Sequence, residues 1–465
     1  MPGRVECPDG YNTMTGSSVP EGPPPLTHRA VLAIAVPVMI SNVSTPLIGI
    51  VDTAIVGRYP NPVYIGSVAV GALIFTFAFW AFGFLRMGTT GLTAQALGAG
   101  DKDELAAGLA RALLIAAAAG AGLILLQWPI RELAFSLLGA SPAVEHLARG
   151  YFAVRIWAAP ATLANYALLG WFIGLGRTDI GLVLQLILNL TNVMLDVIFV
   201  LGLGWDVRGV AFGTTLAEYV AAVVGVVIAL RHLRGIGGRS CASSVLSPAR
   251  LKRAFLVNGD IMIRSLALIA VFVWFTSQSA RQGDAALAGN SILMQFIGAC
   301  AFFLDGLAFA AEALVGRAVG AAQRQGLRVA ARLTTLWAAV TAVLLAAVMT
   351  LFGPLFIEGL TVDLTARTAA RAYLPWAAAA PLLGVWAFQL DGIFIGATRT
   401  ADMRNAMLMS LAIFLGAWWL LRSFGNTGLW AAFYVHYLAR TGSLLYYYPA
   451  LVRSVPVAVR GPASV

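Results

Sequence analysis

Apolar residues run in continuous stretches of twenty or more, separated by short polar and charged clusters. Runs of that length fit helices crossing a hydrocarbon core roughly 30 Å thick. Membrane strands would instead alternate over about ten residues. Twelve spans can be drawn. The first six lie near 29–57, 67–96, 105–128, 146–174, 179–203 and 208–231, and the second six near 252–279, 286–314, 327–352, 368–397, 403–422 and 427–449. The longest connection, 232–251, carries Arg234, Arg239 and Arg250, with Lys252 and Arg253 just beyond. The pattern predicts an all-α membrane protein with a tail at 1–27, an N-lobe at 28–231, a linker at 232–251, a C-lobe at 252–450 and a second tail at 451–465.

The two halves repeat. Leu92-Thr-Ala-Gln-Ala-Leu-Gly-Ala-Gly100 matches Leu314-Val-Gly-Arg-Ala-Val-Gly-Ala-Ala322 at an offset of 222 residues. Trp171-Phe-Ile-Gly-Leu-Gly-Arg-Thr178 matches Ile393-Phe-Ile-Gly-Ala-Thr-Arg-Thr400 at the same offset. Six helices is an even number, so both halves enter the membrane in one orientation. The expected plan is two lobes related by a pseudo-two-fold along the membrane normal, with a cleft between them. That is the plan of an alternating-access transporter.

Composition agrees. Charged residues are 11% of the chain, against about 25% in a soluble protein. The net charge of +10 reads as loop asymmetry and not as a nucleic-acid surface. Lys102, Arg177, the 231–253 cluster, Arg317, Arg324, Arg328, Arg399 and Arg404 fall in even-numbered connections. The odd ones are poorer, so both termini are expected in the cytoplasm. Arg86, Arg149, Arg155 and Arg264 fit neither set and are expected to snorkel from helix ends or to face protein. Residues 1–27 have no apolar core of signal-peptide length and read as a disordered cytoplasmic tail. Cys7, Cys241 and Cys300 form no close-spaced pair, so no zinc site or disulfide framework is indicated. No Gly-x-x-x-x-Gly-Lys-Ser/Thr segment or nucleophile–base set is present, which excludes ATP-driven transport within the chain and gives no reason to read an enzyme.

Charges inside apolar runs carry the functional reading, because an ionisable group at membrane depth needs a partner or a cavity. Asp52 ends the run from Val31, about 35 Å from the start of its span at 1.5 Å per residue. It is therefore expected in the outer half, either at a site or reaching headgroup water. Asn192 and Asp196 are four apart and share one helix face with Asn189 nearby. If Asp52 and Asp196 meet, one holds a proton or both share a cation. Oxygen ligands suit H⁺ and Na⁺ alike, and nothing implies another cofactor. Pro37 and Pro46 interrupt span 1 and read as a static kink or a hinge. Asp260, Asp305, Glu312 and Asp391 lie in the C-lobe as a neutralised network, a substrate site or a second proton path. Arg264, one turn from Asp260, is expected to pair with it or with another acid.

Pro37, Pro46 and Val51-Asp-Thr-Ala-Ile-Val-Gly57, with the repeated Phe-Ile-Gly element, resemble the multidrug and toxic compound extrusion (MATE) transporters. Asp260-Ile-Met-Ile-Arg-Ser-Leu-Ala-Leu268, Asp305-Gly-Leu-Ala-Phe-Ala-Ala-Glu-Ala-Leu-Val-Gly316 and Leu390-Asp-Gly-Ile-Phe-Ile-Gly-Ala-Thr-Arg-Thr400 resemble its DinF branch. The resemblance covers roughly 27–450. It implies a monomeric, multi-pass protein of the bacterial cytoplasmic (inner) membrane that exports small organic compounds, driven by inward H⁺ or Na⁺. It also implies a cation site at Asp52, Asn192, Asp196 and Thr214. The branch with a Glu in span 7 is not matched, since Asp260 stands in that span. The competing reading is a lipid-linked precursor flippase of related fold, and a non-transporting receptor is a third.

Overall fold

A computed structural model describes residues 26–59, 61–238 and 242–456. Cys7, Arg239, Cys241, the N-terminal segment 1–25 and residues 457–465 lie outside them. Helix α1 (His28–Val56) is span 1, and α2 (Pro62–Trp80) and α3 (Phe84–Gly98) share span 2. Helix α4 (Lys102–Leu125) is span 3, followed by α5 (Gln127–Leu138). Helix α6 (Pro142–Arg155), a 3₁₀ turn at Ile156–Ala158 and α7 (Ala159–Gly174) form span 4. Helix α8 (Thr178–Asp196) runs into a π turn at Val197–Gly202 as span 5, and α9 (Val207–Ile236) is span 6. After the short α10 (Ala242–Val245), spans 7 to 10 are α11 (Pro248–Arg281), α12 (Asp284–Gly320), α13 (Arg324–Leu360) and α14 (Leu364–Gly396). Helices α15 (Thr400–Leu421) and α16 (Gly425–Ser454) complete the bundle. Among the described residues 11 stretches are long and apolar enough to cross a bilayer, and the last, Thr400–Ser454, folds at Arg422–Phe424 into two packed helices. The count is therefore twelve.

The helices begin where the chain supplies acceptors for free backbone N–H groups. Asn61 caps Val63, Asp101 caps Glu104, and Asp363 caps Ala366. Several spans differ from their sequence-derived limits. Helices α12 to α14 run well past the residues a hydrocarbon core requires, because packing continues beyond it. Helix α9 reaches Ile236 and α11 starts at Pro248, so helix enters both ends of the segment drawn as a linker. Helix α16 reaches Ser454, past the start of the tail drawn at 451. Helix α5 was not expected. It exposes Trp128, Leu133 and Leu137 while burying Phe135, which is the amphipathic habit of a helix lying at a membrane surface. Arg149 and Arg131 flank its Glu132 and hold that carboxyl down at about 2.

Equivalent pairs pack in both halves. Span 1 meets span 5, span 2 meets span 4 and span 5 meets span 6. In the same way span 7 meets span 11, span 8 meets span 10 and span 11 meets span 12. The lobes meet through α1 and α3 against α12, and α3 against α11. The repeated segments cross one another there. A Cβ on Gly98 would strike the carbonyl of Arg317, and one on Gly320 would strike the carbonyl of Gln95. Both pairs obey the 222-residue offset, so the crossing sits on the pseudo-two-fold. Gln95 Nε2 also donates to the Gly396 carbonyl at 2.9 Å, and Arg317 Nη2 to the Leu175 carbonyl at 3.2 Å. The lobes are thus fastened at the face that carries the even-numbered connections, called here the linker face.

The turns on this face repeat too. Gly100 and Gly176 have φ of 70° and 71°, and their equivalents Ala322 and Thr398 have φ of 54° and 51°. A side chain in that left-handed region costs about 1–2 kcal/mol. Ala322→Gly is therefore expected to raise stability by about 1 kcal/mol, read as a higher melting temperature of the purified protein.

Candidate functional site

The last turn of α1 and the end of α8 bring Asp52 and Asp196 together. Asp196 is fully buried and Asp52 is 8% exposed, so Asp52 does not reach water as a helix-end charge would. The two carboxyls lie within interaction range of each other. Asn192, one turn before Asp196, donates to Asp196 Oδ2 at 3.2 Å and to Thr214 Oγ1 at 3.1 Å. Thr214 donates onward to the Val210 carbonyl at 2.9 Å. The structure therefore gathers all four residues that the resemblance implied. Oδ1 of Asp52, Oδ1 of Asn192 and Oδ1 of Asp196 are buried with no hydrogen-bond partner. Three orphaned oxygens beside a hydroxyl fit a proton or a small hard cation, the donor set such ions prefer.

Local backbone explains the aim of these groups. The π turn begins directly after Asp196, and such single turns are common at functional sites because they redirect one residue. Tyr59, just past α1, hydrogen-bonds to the Val200 carbonyl within that turn at 3.2 Å. Gly213 lies against Asp196, where a Cβ would strike Oδ1. Pro37 and Pro46 both sit inside one continuous α1. Asn189 Nδ2 bonds the Ser44 carbonyl at 3.3 Å and is itself held by Gln185, which ties α1 to α8 just before Pro46.

A second buried charge set adjoins this one. Arg155 on α6 donates to Glu218 Oε1 on α9 at 3.3 Å, and Asn165 on α7 donates to Glu218 Oε2 at 2.7 Å. Sequence reasoning placed Arg155 at a helix end or against protein and did not single out Glu218. A carboxylate one turn after Thr214 in an apolar helix was the available signal.

The C-lobe acids divide. Asp391 on α14 is gripped by Arg264 on α11 and Arg440 on α16. Glu312 on α12 lies 3.6 Å from Arg86 of α3, whose guanidinium stacks 3.7 Å over Phe309. Asp305, two turns before Glu312, faces the same guanidinium groups. Asp260 lies apart: it bonds Arg404 at 2.6 Å and Thr400 at 3.0 Å beside the start of α15, at the linker face. Of the two partners open to Arg264, the structure shows the other acid, Asp391. Arg86, Arg155 and Arg264 all face protein and pair across helices, while Arg149 pairs with Glu132 and Glu145 near α5.

Comparison with known proteins follows the same lines. The MatE family model matches residues 37–198 and 261–437. The DNA damage-inducible protein F of Escherichia coli (strain K12) is 40% identical over 420 residues, covering 90% of this chain and 91% of that protein. Among solved structures, MATE in the bent conformation superposes with a TM-score of 0.83 at 19% identity, over 92% of this chain and 96% of that one. The outward-facing conformation of a multidrug resistance MATE family transporter of the MOP superfamily superposes at 0.82 and 18% identity, over 92% and 97%. At these identities the structural likeness carries the fold alone.

Proposed function

The chain belongs to the MATE family of membrane transporters and is not an enzyme, and on that premise we propose that it is a secondary antiporter exporting organic, lipophilic or cationic compounds by alternating access. The driving ion, H⁺ or Na⁺, binds at Asp52, Asn192, Asp196 and Thr214. The observation that supports this reading is a buried pair of carboxyls, Asp52 and Asp196, with one oxygen on each and one on Asn192 left without a hydrogen-bond partner. Like charges cannot both stay bare in a poorly hydrated lobe, so the pair must take up a proton or a cation. Uptake removes the repulsion between the ends of α1 and α8 and lets α1 close on α8. Pro46, six residues before Asp52 and lacking an N–H, is where α1 bends, and the Asn189 bond to Ser44 fixes the part before it. Pro37 lies on the fixed part, closer to the lobe interface.

The linker face is read as cytoplasmic, with both termini there, in a bacterial inner membrane and with the protein acting as a monomer. In that orientation the closed end faces the cytoplasm. Asp305, Glu312 and Asp391 form a neutralised network with Arg86, Arg264 and Arg440 beside the substrate path, and the Asp260–Arg404 pair fastens α11 to α15. A lipid-linked precursor flippase is not favoured, because buried acids occupy the candidate site in the N-lobe.

Proteoliposomes loaded with a lipophilic cationic dye test the proposal. Efflux is expected when an inward H⁺ or Na⁺ gradient is imposed and to stop when both are collapsed. Equal efflux with and without either gradient would refute ion coupling. A subtler expectation concerns Gly213. Gly213→Ala pushes the Asp196 carboxyl aside and should weaken cation binding about 10–100-fold, as loss of a supporting neighbour does at other ion sites. Radiotracer Na⁺ binding or a shifted pH profile of efflux reads it, with the melting temperature as control.

A further inference from the structure

Arg155 is nearly buried, yet its grip on Glu218 is loose. Its Nη2 lies 3.3 Å from Glu218 Oε1, while Nη1 is buried with no partner. Asn165 already satisfies the other oxygen of Glu218 at 2.7 Å. The guanidinium rests over the rings of Phe75 and Phe79, at 5.7 and 5.4 Å from their centroids, a surface that guides a cation without fixing it. Its field reaches Asp52 of α1, and it lies beside Tyr151 of its own helix. Thr214 and Glu218 stand one turn apart on α9, so the ion site and this pair share a wall. The other charged and titratable groups facing this space are Asp196 on α8, Tyr166 on α7 and, beyond it, Arg86 on α3.

We infer that Arg155 is a tethered stand-in for the driving cation, moving between Glu218 when the Asp52–Asp196 pair is occupied and that pair when it is empty. The inference rests on the ion-coupled reading of Asp52 and Asp196. It answers a difficulty that reading leaves. Release of the ion would strand two carboxylates in a lobe that water hardly enters, and release would be slow. A resident guanidinium covers them, and Glu218 is where it waits. Arg155 is thus a positioning residue that sets ion affinity by competition.

The two partners then have opposite effects. Arg155→Gln removes the competitor and should tighten equilibrium cation binding about tenfold, the scale of one neighbouring opposite charge, while slowing release and hence turnover. Glu218→Gln removes the resting place, so Arg155 stays on the pair and binding weakens about tenfold. The double variant should bind within about threefold of Arg155→Gln, since Glu218 acts on the pair only through Arg155 and contacting residues do not add, and Arg155→Lys should stay close to the parent. Radiotracer Na⁺ binding, or proton uptake by an indicator dye, reads occupancy in detergent without transport. Both single variants weakening binding, with the double no better, would overturn the inference in favour of mere structural support. If Arg155→Gln does not fold, an unchanged or tightened affinity in the near-isosteric Glu218→Gln overturns it alone. Asp52→Asn separates the parent reading: persisting ion-driven efflux in that variant sinks both claims, whereas its loss with same-direction shifts at Arg155 and Glu218 sinks only this one.

Discussion

Asp196→Asn will fold, will be more stable than the parent, and will lose ion-driven efflux. The amide can still accept from Asn192 as Oδ2 now does at 3.2 Å, so the shape of the α8–α9 contact survives. Two buried carboxyls become one, so a single ionisable group is left to be desolvated where two were. Taking one ion out of water costs several kcal/mol even after the protein relaxes, and the amide avoids that cost. The same change leaves one carboxyl and an amide, which cannot hold an ion and release it in step with α1. Gradient-driven dye efflux should fall at least a hundredfold, about 2.7 kcal/mol in barrier terms, with a raised melting temperature. Lost efflux with a lowered melting temperature would instead mark Asp196 as structural. Stability and function moving in opposite directions is what a strained site requires.

The second large effect lies in the C-lobe and has the opposite character. Asp391→Ala leaves Arg264 and Arg440 buried side by side with no anion between them. Breaking a buried pair in this way costs about 3–5 kcal/mol. Such a loss is a large fraction of the roughly 5–15 kcal/mol that holds a typical domain folded. Little folded protein should be recovered, and what is recovered should melt much lower. Adding Arg440→Met removes one of the stranded charges and should restore part of the loss. Asp305→Asn is expected to be far milder, since the described structure gives Asp305 no direct ion pair. Equal losses at Asp305 and Asp391, measured by size-exclusion chromatography and thermal melting, would show that the cluster does not divide as the geometry indicates.

What the chain disclosed in advance follows from the range of the forces involved. Span positions depend on local hydrophobicity, so the number and order of spans were legible, while several helix ends lay well beyond the drawn limits. The 222-residue offset was legible because backbone crossing at Gly98 and Gly320 restricts which residues can stand there. The cluster of Asp52, Asn192, Asp196 and Thr214 was reached through resemblance. Helical spacing alone yielded only the Asn192–Asp196 face and could not say that Asp52 meets it. Ion pairs between distant helices stayed hidden: Arg86 could not be matched to Glu312, nor Arg264 to Asp391 rather than Asp260, without the packing. Glu218 was passed over within a long apolar span. The breaks near Ala81, at Ile156–Ala158 and at Val197–Gly202 were hidden too, because hydropathy is blind to a change from α to 3₁₀ or π winding.

The charge inventory of the two lobes has an electrical consequence. Around Asp391 three acids match three guanidiniums in number, so with every group ionised the C-lobe cluster has no net charge for a voltage across the membrane to pull on. The N-lobe set holds Asp52, Asp196 and Glu218 against Arg155 alone. Each elementary charge crossing the full membrane field is worth about 2.3 kcal/mol per 100 mV. On the proposed ion-coupled reading, the membrane potential acts through the N-lobe, where it favours loading from the positive side. On that reading, occupancy of a few oxygens near one end of α1 is the point at which the cell's voltage enters the cycle.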